Sequence, residues 1–369
     1  MKILVTGANG FIGKNLVTEL RNREYLDIFE YDLETDPSLL DDFCMKAEFV
    51  YHLAGVNRPK DASEFMVGNF GFTSKLLESL KRNNNKCPIL LSSSIQAELD
   101  NPYGKSKKAG EELLVVYGNE NGSNILIYRF QNVFGKWCLP NYNSAIATFC
   151  YNITRDLPIT VNDRNSKMSL VYIDDVVNEL VNALKGKENR VGEYCAVPIT
   201  YTSTLGEIVD LLQSFKNCRS DFSIPNMNDE LTKKLYSTYL SYLPEDRFSY
   251  LLKTNIDSRG SFTEIFKTAD RGQISVNVAK PGITKGNHWH QSKNEKFLVV
   301  SGEGVIRFRK IDSNKIIEYY VSNQKMEVVE IPAGYTHNIE NLGNTDLVTI
   351  MWVNEKFDPD KPDTHFKEV

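Results

Sequence analysis

Histidine and tryptophan are scarce in this 369-residue chain, with five and three copies, and its six cysteines show no CxxC spacing. Scattered thiols (Cys44, Cys87, Cys138, Cys150, Cys195 and Cys218) exclude a zinc ribbon and a disulfide framework, and predict reduced, buried side chains. No run of about 18 apolar residues occurs, so no membrane-spanning helix is expected. Basic residues do not exceed acidic ones, 43 against 48, and the net charge is −5. That balance excludes, as a default, a surface built to neutralise a nucleic-acid backbone. The opening MKILVTGANG goes straight into strand-like sequence without a basic-then-apolar leader, so a cytoplasmic protein is expected. Internal repeats and low-complexity tracts are also missing. What is present is ordinary globular composition, 41% hydrophobic and 25% charged, in a length that predicts two or three domains.

The first half alternates apolar β-branched runs (Lys2–Thr6, Phe49–Leu53, Ile89–Ser93, Ile125–Arg129) with helical patterns (Ile12–Arg21, Thr73–Arg82, Tyr103–Tyr117, Asp174–Lys185). Such alternation predicts βαβ units and a doubly wound parallel sheet, an α/β Rossmann-like domain. Residues 217–248 change character, with Pro225 and Pro244 flanking a polar, Tyr-rich helix. The Tyr236–Tyr242 aromatics are expected to pack against a domain face, and the charges of Lys81–Lys86 to be solvated. Beyond 248 come short alternating segments divided by Gly, Asn and Asp turns: Ile274–Ala279, Phe297–Ser301, Gly304–Lys310, Lys315–Val321, Met326–Ile331 and Asp346–Asn354. Strands in succession without helices predict an antiparallel sandwich or barrel. Two domains are therefore expected, 1–243 and 246–369.

In KILVTGANGFIG, Gly7, Gly10 and Gly13 stand between a strand and a helix. Glycines there let the backbone turn tightly and approach a pyrophosphate seated on the helix N-terminus. Asp32, 25 positions after Gly7, is placed to hold an adenosine ribose, or else to close a strand-end turn. No Lys or Arg lies between Arg23 and Lys46 to receive a 2′-phosphate, so local chemistry leans towards NAD. Ser92–Ser94 end a strand, and YGKSK follows at Tyr103–Lys107. Tyr103 and Lys107, four apart, share a helix face. A lysine there depresses the tyrosine pKa and binds the nicotinamide ribose, a serine holds the substrate oxygen, and the tyrosine exchanges a proton as hydride moves.

The motifs TGANGFIG, VYHLAG, Asn69 with Thr73, SSS, YGKSK, YRFQNVFG and VYIDDV make residues 1–215 resemble the extended short-chain dehydrogenase/reductase family. The resemblance implies Ser94, Tyr103 and Lys107 as catalytic trio, Asn132 as a contact to a substrate diphosphate, and sugar-nucleotide substrates. Only nine positions separate Ser94 from Tyr103, fewer than relatives carry. A more open substrate pocket, completed by another chain or domain, is expected from this.

Three of the five histidines fall within 50 residues. His288 and His290, two apart in a strand, point to one face, and Glu295 and His337 can join them from neighbouring strands. Three imidazoles and a carboxylate suit Zn2+ or another divalent transition metal with a coordination position left open. His52, in an apolar strand, is expected to be a satisfied core residue, and His365 to be solvated.

The spacing of Gly282, His288, His290, Glu295 and Gly302, then Pro332, Gly334, His337 and Asn341, resembles the cupin superfamily, although the leading glycine of the second motif is missing. DSRGSFTEIF, with Asp257, Phe262 and Glu264, is similar to the opening of cupin-type sugar-nucleotide 3,5-epimerases. A double-stranded β-helix is implied.

The pairing of the two domains in this order resembles the bifunctional enzymes of capsular polysaccharide synthesis. That resemblance implies C3 epimerisation and NADPH-dependent C4 reduction of a UDP-4-keto-6-deoxy-HexNAc on the route to UDP-N-acetyl-L-fucosamine, with zinc in the cupin. NADPH is favoured over NADH against the local reading of Asp32, because a net reduction draws on the reducing pool. The alternative is an NAD-dependent sugar-nucleotide dehydratase or 4-epimerase whose cupin only binds sugar. A metabolite sensor is disfavoured, since it has no need of Tyr103. By analogy with both families a homodimer is expected. Lys296, Tyr335 and Glu303 lie near the second motif set, and none is singled out as the epimerase base.

Overall fold

The computed structural model describes residues 1–369. The chain forms two compact units, Met1–Gln213 with Lys234–Pro244, and Ser214–Lys233 with Glu245–Val369. The interleaving has a local cause. Phe222 and Ile224 exchange main-chain hydrogen bonds with Lys267 at 2.9 and 2.8 Å, tying the 214–233 stretch to the second unit. Tyr242 belongs with the first, accepting from Thr154 and Arg155 at its carbonyl and donating to the Cys138 carbonyl.

The first unit contains strands β1 (Ile3–Thr6), β2 (Ile28–Tyr31), β3 (Phe49–His52), β4 (Ile89–Ser94), β5 (Ile125–Phe130), β6 (Asn132–Phe134), β7 (Lys167–Tyr172), β8 (Arg190–Val191), β9 (Tyr194–Cys195) and β10 (Tyr201–Thr204). Its main sheet runs β2-β1-β3-β4-β5-β9-β8, parallel through β9 and closed by the antiparallel β8. A second, three-stranded sheet runs β10-β7-β6. The buried faces of β1, β3, β4 and β5 feed two cores on opposite sides of the main sheet. One packs under helices Phe11–Asn22 and Ile173–Leu184, the other under Leu39–Lys46, Phe72–Arg82 and Pro102–Asn121. Chain order reverses between β1 and β3, which opens a crevice at their carboxyl ends where open α/β sheets bind ligands. All six cysteines are buried free thiols.

The second unit contains β11 (Thr254–Asp257), β12 (Gly260–Lys267), β13 (Gln273–Ala279), β14 (Thr284–Trp289), β15 (Glu295–Ser301), β16 (Glu303–Lys310), β17 (Ile316–Ser322), β18 (Val328–Ile331), β19 (Tyr335–Asn341), β20 (Leu347–Val353) and β21 (His365–Phe366). They form two antiparallel sheets, β11-β12-β13-β20-β15-β18 and β17-β16-β19-β14-β21. One apolar core joins them through Ala279, Phe297, Val299 and Leu347 on one side and Ile306, Phe308, Val321 and Ile339 on the other. Asn341 braces the entry to β14, donating to the carbonyls of Ala279 and Thr345 at 2.8 Å and accepting from Gly343 N–H at 3.0 Å.

Candidate active sites in the two units

The glycine turn sits at the crevice. Gly7 has φ +71°, and a Cβ there would stand 2.7 Å from the Ala54 nitrogen. At Gly13 a Cβ would meet the Gly7 carbonyl at 2.1 Å, so its bareness lets helix Phe11–Asn22 lie on the turn, while Gly10 N–H closes the turn onto the Gly7 carbonyl at 3.0 Å. The helix carries no side-chain cap and no acid in its first turn, leaving its N–H groups open to an anion. Asp32 accepts from Asn9 N–H at 2.7 Å and Leu33 N–H at 2.8 Å, bracing the turn from the end of β2.

The three serines that end β4 take three separate tasks. The Ser92 carbonyl accepts from Lys107 Nζ at 3.1 Å. The Ser93 hydroxyl donates to Glu111, which also holds Arg129 in a bidentate pair. Ser94 stands close enough to Tyr103 to act on its hydroxyl, and its own hydroxyl oxygen accepts from Gln96 N–H at 3.2 Å. Tyr103 opens helix Pro102–Asn121, which starts on an Asn101 cap accepting from Gly104 N–H at 2.8 Å, with Pro102 in the first turn. Gly104 explains the short Ser94–Tyr103 link. A Cβ there would stand 2.2 Å from the Gln96 carbonyl, so the Ile95–Glu98 turn folds directly onto the helix.

Burial pushes the Tyr103 hydroxyl up, only partly opposed by Ser94, so the depression expected from Lys107 does not prevail and the phenol stays protonated and ready to donate. Burial pulls Lys107 down to about 8, with Glu111 one turn on acting against the loss. Its Nζ lies 5.9 Å from the Tyr103 ring centre. Gly55 admits that approach, since a Cβ there would crowd both Lys107 Nζ and Asn69 Oδ1. Asn69 is buried in a wide helical turn, Met66–Gly71, accepting from Val56 N–H at 2.8 Å and donating to Ser106 Oγ at 2.9 Å. His52 is a core residue bonded at both ring nitrogens, to Thr6 and Thr73 at 2.8 Å, and burial holds its pKa down at about 3.

Tyr142, close enough to influence Tyr103, lines a cavity of about 410 Å³ with Arg58, Asn143, Thr148, Phe149 and Asn162. Asn132 is exposed on β6 and donates to the Ser169 carbonyl at 3.0 Å. Beside it Gln131 Oε1 is buried without a hydrogen-bond partner, a feature sequence reasoning passed over.

In the second unit the structure brings together all four residues of the histidine motif. One ligand atom from each of His288, His290, Glu295 and His337 lies within 4.8 Å of the others. His288 sits directly opposite His337 across the β14–β19 ladder, past a bulge at Asn287 (φ +58°). His290 lies one residue beyond β14, so the bulge and a loop, not plain strand alternation, converge the two imidazoles. Glu295 opens β15 in the facing sheet.

Its Oε2 stands 3.1 Å from His337 Nε2 and 3.4 Å from His290 Nε2, yet all three atoms are buried without hydrogen-bond geometry to any partner. Orphaned lone pairs aimed at one centre fit a divalent cation and are costly without one. The other nitrogens face carbonyls: His290 Nδ1 donates to the Asp363 carbonyl, and His337 Nδ1 faces that of Tyr335 at 3.4 Å. This leaves Nε2 as the lone-pair atom in each ring. Burial and the neighbouring rings hold His288 at about 4. For Glu295, burial acts upward, but contacts with His290 and His337 outweigh it and hold the carboxyl at about 2.

Lys296 and Glu303 are exposed, with Lys296 paired to Glu330, and Tyr335 packs against the core. Glu264 pairs with Lys267 at 3.1 Å and Asp257 with Arg259 at 2.7 Å. His365, expected to be merely solvated, is half exposed but packs on Trp289 with ring centres 4.9 Å apart and pairs with β14. Distance in sequence hid that contact, because the segment returns to β14 only through the fold.

Residues 3–195 match the NAD dependent epimerase/dehydratase family, and residues 255–365 match the polysaccharide biosynthesis C-terminal domain. A UDP-2-acetamido-2,6-beta-L-arabino-hexul-4-ose reductase of Pseudomonas aeruginosa is 45% identical over 365 residues, 99% of this chain and 98% of that one. The crystal structure of the capsular polysaccharide assembling protein CapF from Staphylococcus aureus superposes with TM-score 0.95 at 58% identity, covering all of both chains. A Bacillus cereus UDP-glucuronic acid 4-epimerase, solved with UDP-glucuronic acid and NAD, shares the fold over 59% of this chain and 83% of that one, with TM-score 0.53 and 24% identity. With the glycine turn, the Ser94–Tyr103–Lys107 geometry and relatives matched end to end, the chain belongs to the NAD dependent epimerase/dehydratase family, in the two-part form shared with CapF.

Proposed function

We propose that the protein is a bifunctional sugar-nucleotide enzyme acting on a UDP-linked 4-keto-6-deoxy amino sugar. Its second unit, read as a cupin, epimerises C3, and its first reduces the C4 ketone, towards UDP-N-acetyl-L-fucosamine for capsular polysaccharide. The observation that carries this reading is the presence of two complete constellations, Ser94–Tyr103–Lys107 and His288–His290–Glu295–His337, in a chain similar over its whole length to a UDP-hexulose reductase.

The glycine turn at Gly7, Gly10 and Gly13 would hold the pyrophosphate of NADPH, with Asp32 at the adenosine ribose and Lys107 at the nicotinamide ribose. The four-residue cluster would hold zinc. When bound, NADPH supplies a hydride, and the cation supplies Lewis acidity towards the ketone oxygen. Ser94 and Tyr103 hold the C4 oxygen, and the Tyr103 phenol gives its proton to that oxygen as the alcohol forms. The Lys107 ammonium favours the resulting phenolate. Asn132 is read as a contact to the substrate diphosphate. His290 and His337, fixed through their Nδ1 atoms, keep both Nε2 lone pairs directed inward.

The test is incubation with the 4-keto sugar nucleotide in heavy water. Tyr103→Phe should abolish NADPH oxidation and leave deuterium exchange next to the ketone, whereas His290→Gln should abolish exchange. Exchange that persists after metal stripping would sink the metal-assisted reading. Asp32 and the lack of a base between Arg23 and Lys46 favour the NAD-dependent alternative. Turnover without added reduced cofactor, or a strong preference for NADH, would select it.

A further inference from the structure

His290 projects from a loop, Gln291–Asn294, that no strand pairing holds. Its ends are tied elsewhere, by Gly334 N–H to the His290 carbonyl at 2.8 Å and by Asn354 to Asn294, and its middle is held by the far end of the chain. The Asp363 carboxylate accepts from the N–H groups of Gln291 and Ser292 at 2.8 Å and Lys293 at 3.0 Å, and from the Ser292 hydroxyl at 3.0 Å. Its main-chain carbonyl takes the Nδ1–H of His290. Two residues on, β21 pairs with β14 opposite His288 and Trp289. Lys367 then donates to the Asn287 carbonyl at 3.0 Å, and its own carbonyl accepts from Thr336, next to His337. Each of the three imidazoles is thus held, directly or through a neighbour, by this one terminal segment.

We propose that Asp363–Lys367 is a strap that closes the metal centre, with Asp363 as the positioning residue that keeps His290 in its metal-binding orientation. The proposal rests on reading the histidine cluster as a metal centre. A carboxylate taking three successive main-chain N–H groups fills an anion nest, and such charge-assisted bonds are strong. One residue grips the loop with its side chain and orients the imidazole with its backbone. Because the same bonds connect cation, His290 and Asp363, zinc binding and strap docking stabilise each other reciprocally.

The test uses the full-length protein, stripped of metal and titrated with zinc chloride against a competing chromogenic chelator. The parent should bind one zinc per chain, and Asp363→Ala should bind about 10- to 100-fold more weakly, the usual effect of losing an outer support. Asp363→Asn, which keeps a carbonyl acceptor, should fall between them. Metal-free Asp363→Ala should melt somewhat below the parent, since the nest bonds are lost in either state, but a purely structural role would end there and leave zinc affinity unchanged. Should Asp363→Ala fail to fold, Asp363→Asn carries the affinity test, and zinc should slow amide exchange at 363–367 in the parent. An Asp363→Ala affinity within twofold of the parent, or exchange at the strap indifferent to zinc, overturns the strap alone. A parent that binds no zinc overturns the metal reading and the strap with it.

Discussion

Replacing Glu111 by Gln removes the carboxylate that sustains the charge on Lys107. The two residues stand four apart on one helix face, and burial has already drawn the ammonium down to about 8. At about 6 Å, the spacing of such neighbours, and an effective dielectric of about 20, a unit pair interacts by about 2.8 kcal/mol. At 1.36 kcal/mol per pKa unit this is an upper bound of about two units. Arg129, bidentate on Glu111, offsets part of that in the parent, but its cation remains in the variant and pushes Lys107 the same way. Half of that bound, a fall of about one unit, is the expected size.

The sign is unambiguous. On the proposed reading the ammonium serves the nicotinamide ribose, so activity should be lost as pH rises through its pKa. A group with pKa 8 is about three-quarters charged at pH 7.5, and one at 7 about one-quarter. The rate of NADPH oxidation for Glu111→Gln, as kcat/KM between pH 5.5 and 9, should be about threefold down at pH 7.5 and recover near pH 6. Lys107→Arg, whose charge does not titrate, should have no such alkaline limb. A limb in Glu111→Gln that stays in place or moves upward refutes the reasoning. Unfolding should also be easier by about 3 kcal/mol, the low end for breaking a buried pair, since Arg129 keeps Glu98 and Tyr194.

Further expectations follow from the same geometry. Gly13→Ala forces the helix off the Gly7 carbonyl and should weaken NADPH binding by about tenfold or more, or about 1.4 kcal/mol, read by fluorescence titration with circular dichroism unchanged. His52 titrates near 6.5 when unfolded and at about 3 when folded. Its contribution is complete above pH 6.5 and is lost as pH falls, by about 2 kcal/mol between pH 6.5 and 5. Urea unfolding at both pH values should show that loss in the parent and a flatter dependence in His52→Gln. Asn341→Ala strands two buried carbonyls and should cost about 3 kcal/mol; calorimetry should place the change in the second unit's transition.

The architecture was legible wherever one period dominated. The β-branched runs at β1, β3, β4 and β5, with amphipathic helices between them, could only bury both faces of a parallel sheet, and both cores are observed. The interleaved connector was not legible, because the contacts that tie 214–233 to the second unit, such as the main-chain bonds at Phe222, Ile224 and Lys267 and the Asn228–Arg271 side-chain bond, join residues far apart in sequence and follow no period. Glu111 was hidden for a related reason. A glutamate in KSKKAGEELL reads as solvated helix surface, and only the fold places Ser93 and Arg129 where a buried carboxylate is satisfied.

The two sites share a division of labour that explains this pattern. Atoms suited to proton transfer or metal ligation belong to a few residue types at fixed spacing, so Tyr103, Lys107, His288, His290 and Glu295 announce themselves as candidates. What aims them is largely carbonyl oxygen: Ser92 for Lys107, Asp363 for His290, Tyr335 for His337. Any residue can supply a carbonyl, so composition places no constraint there and no motif records it. The exceptions are the side chains that fix where those carbonyls lie. Glu111 does so for the end of β4 through Ser93, and Asp363 for the loop after His290. Both are carboxylates whose partners come from distant segments. Substituting either should therefore disturb chemistry at atoms it never touches, which distinguishes it from the reactive residues it holds.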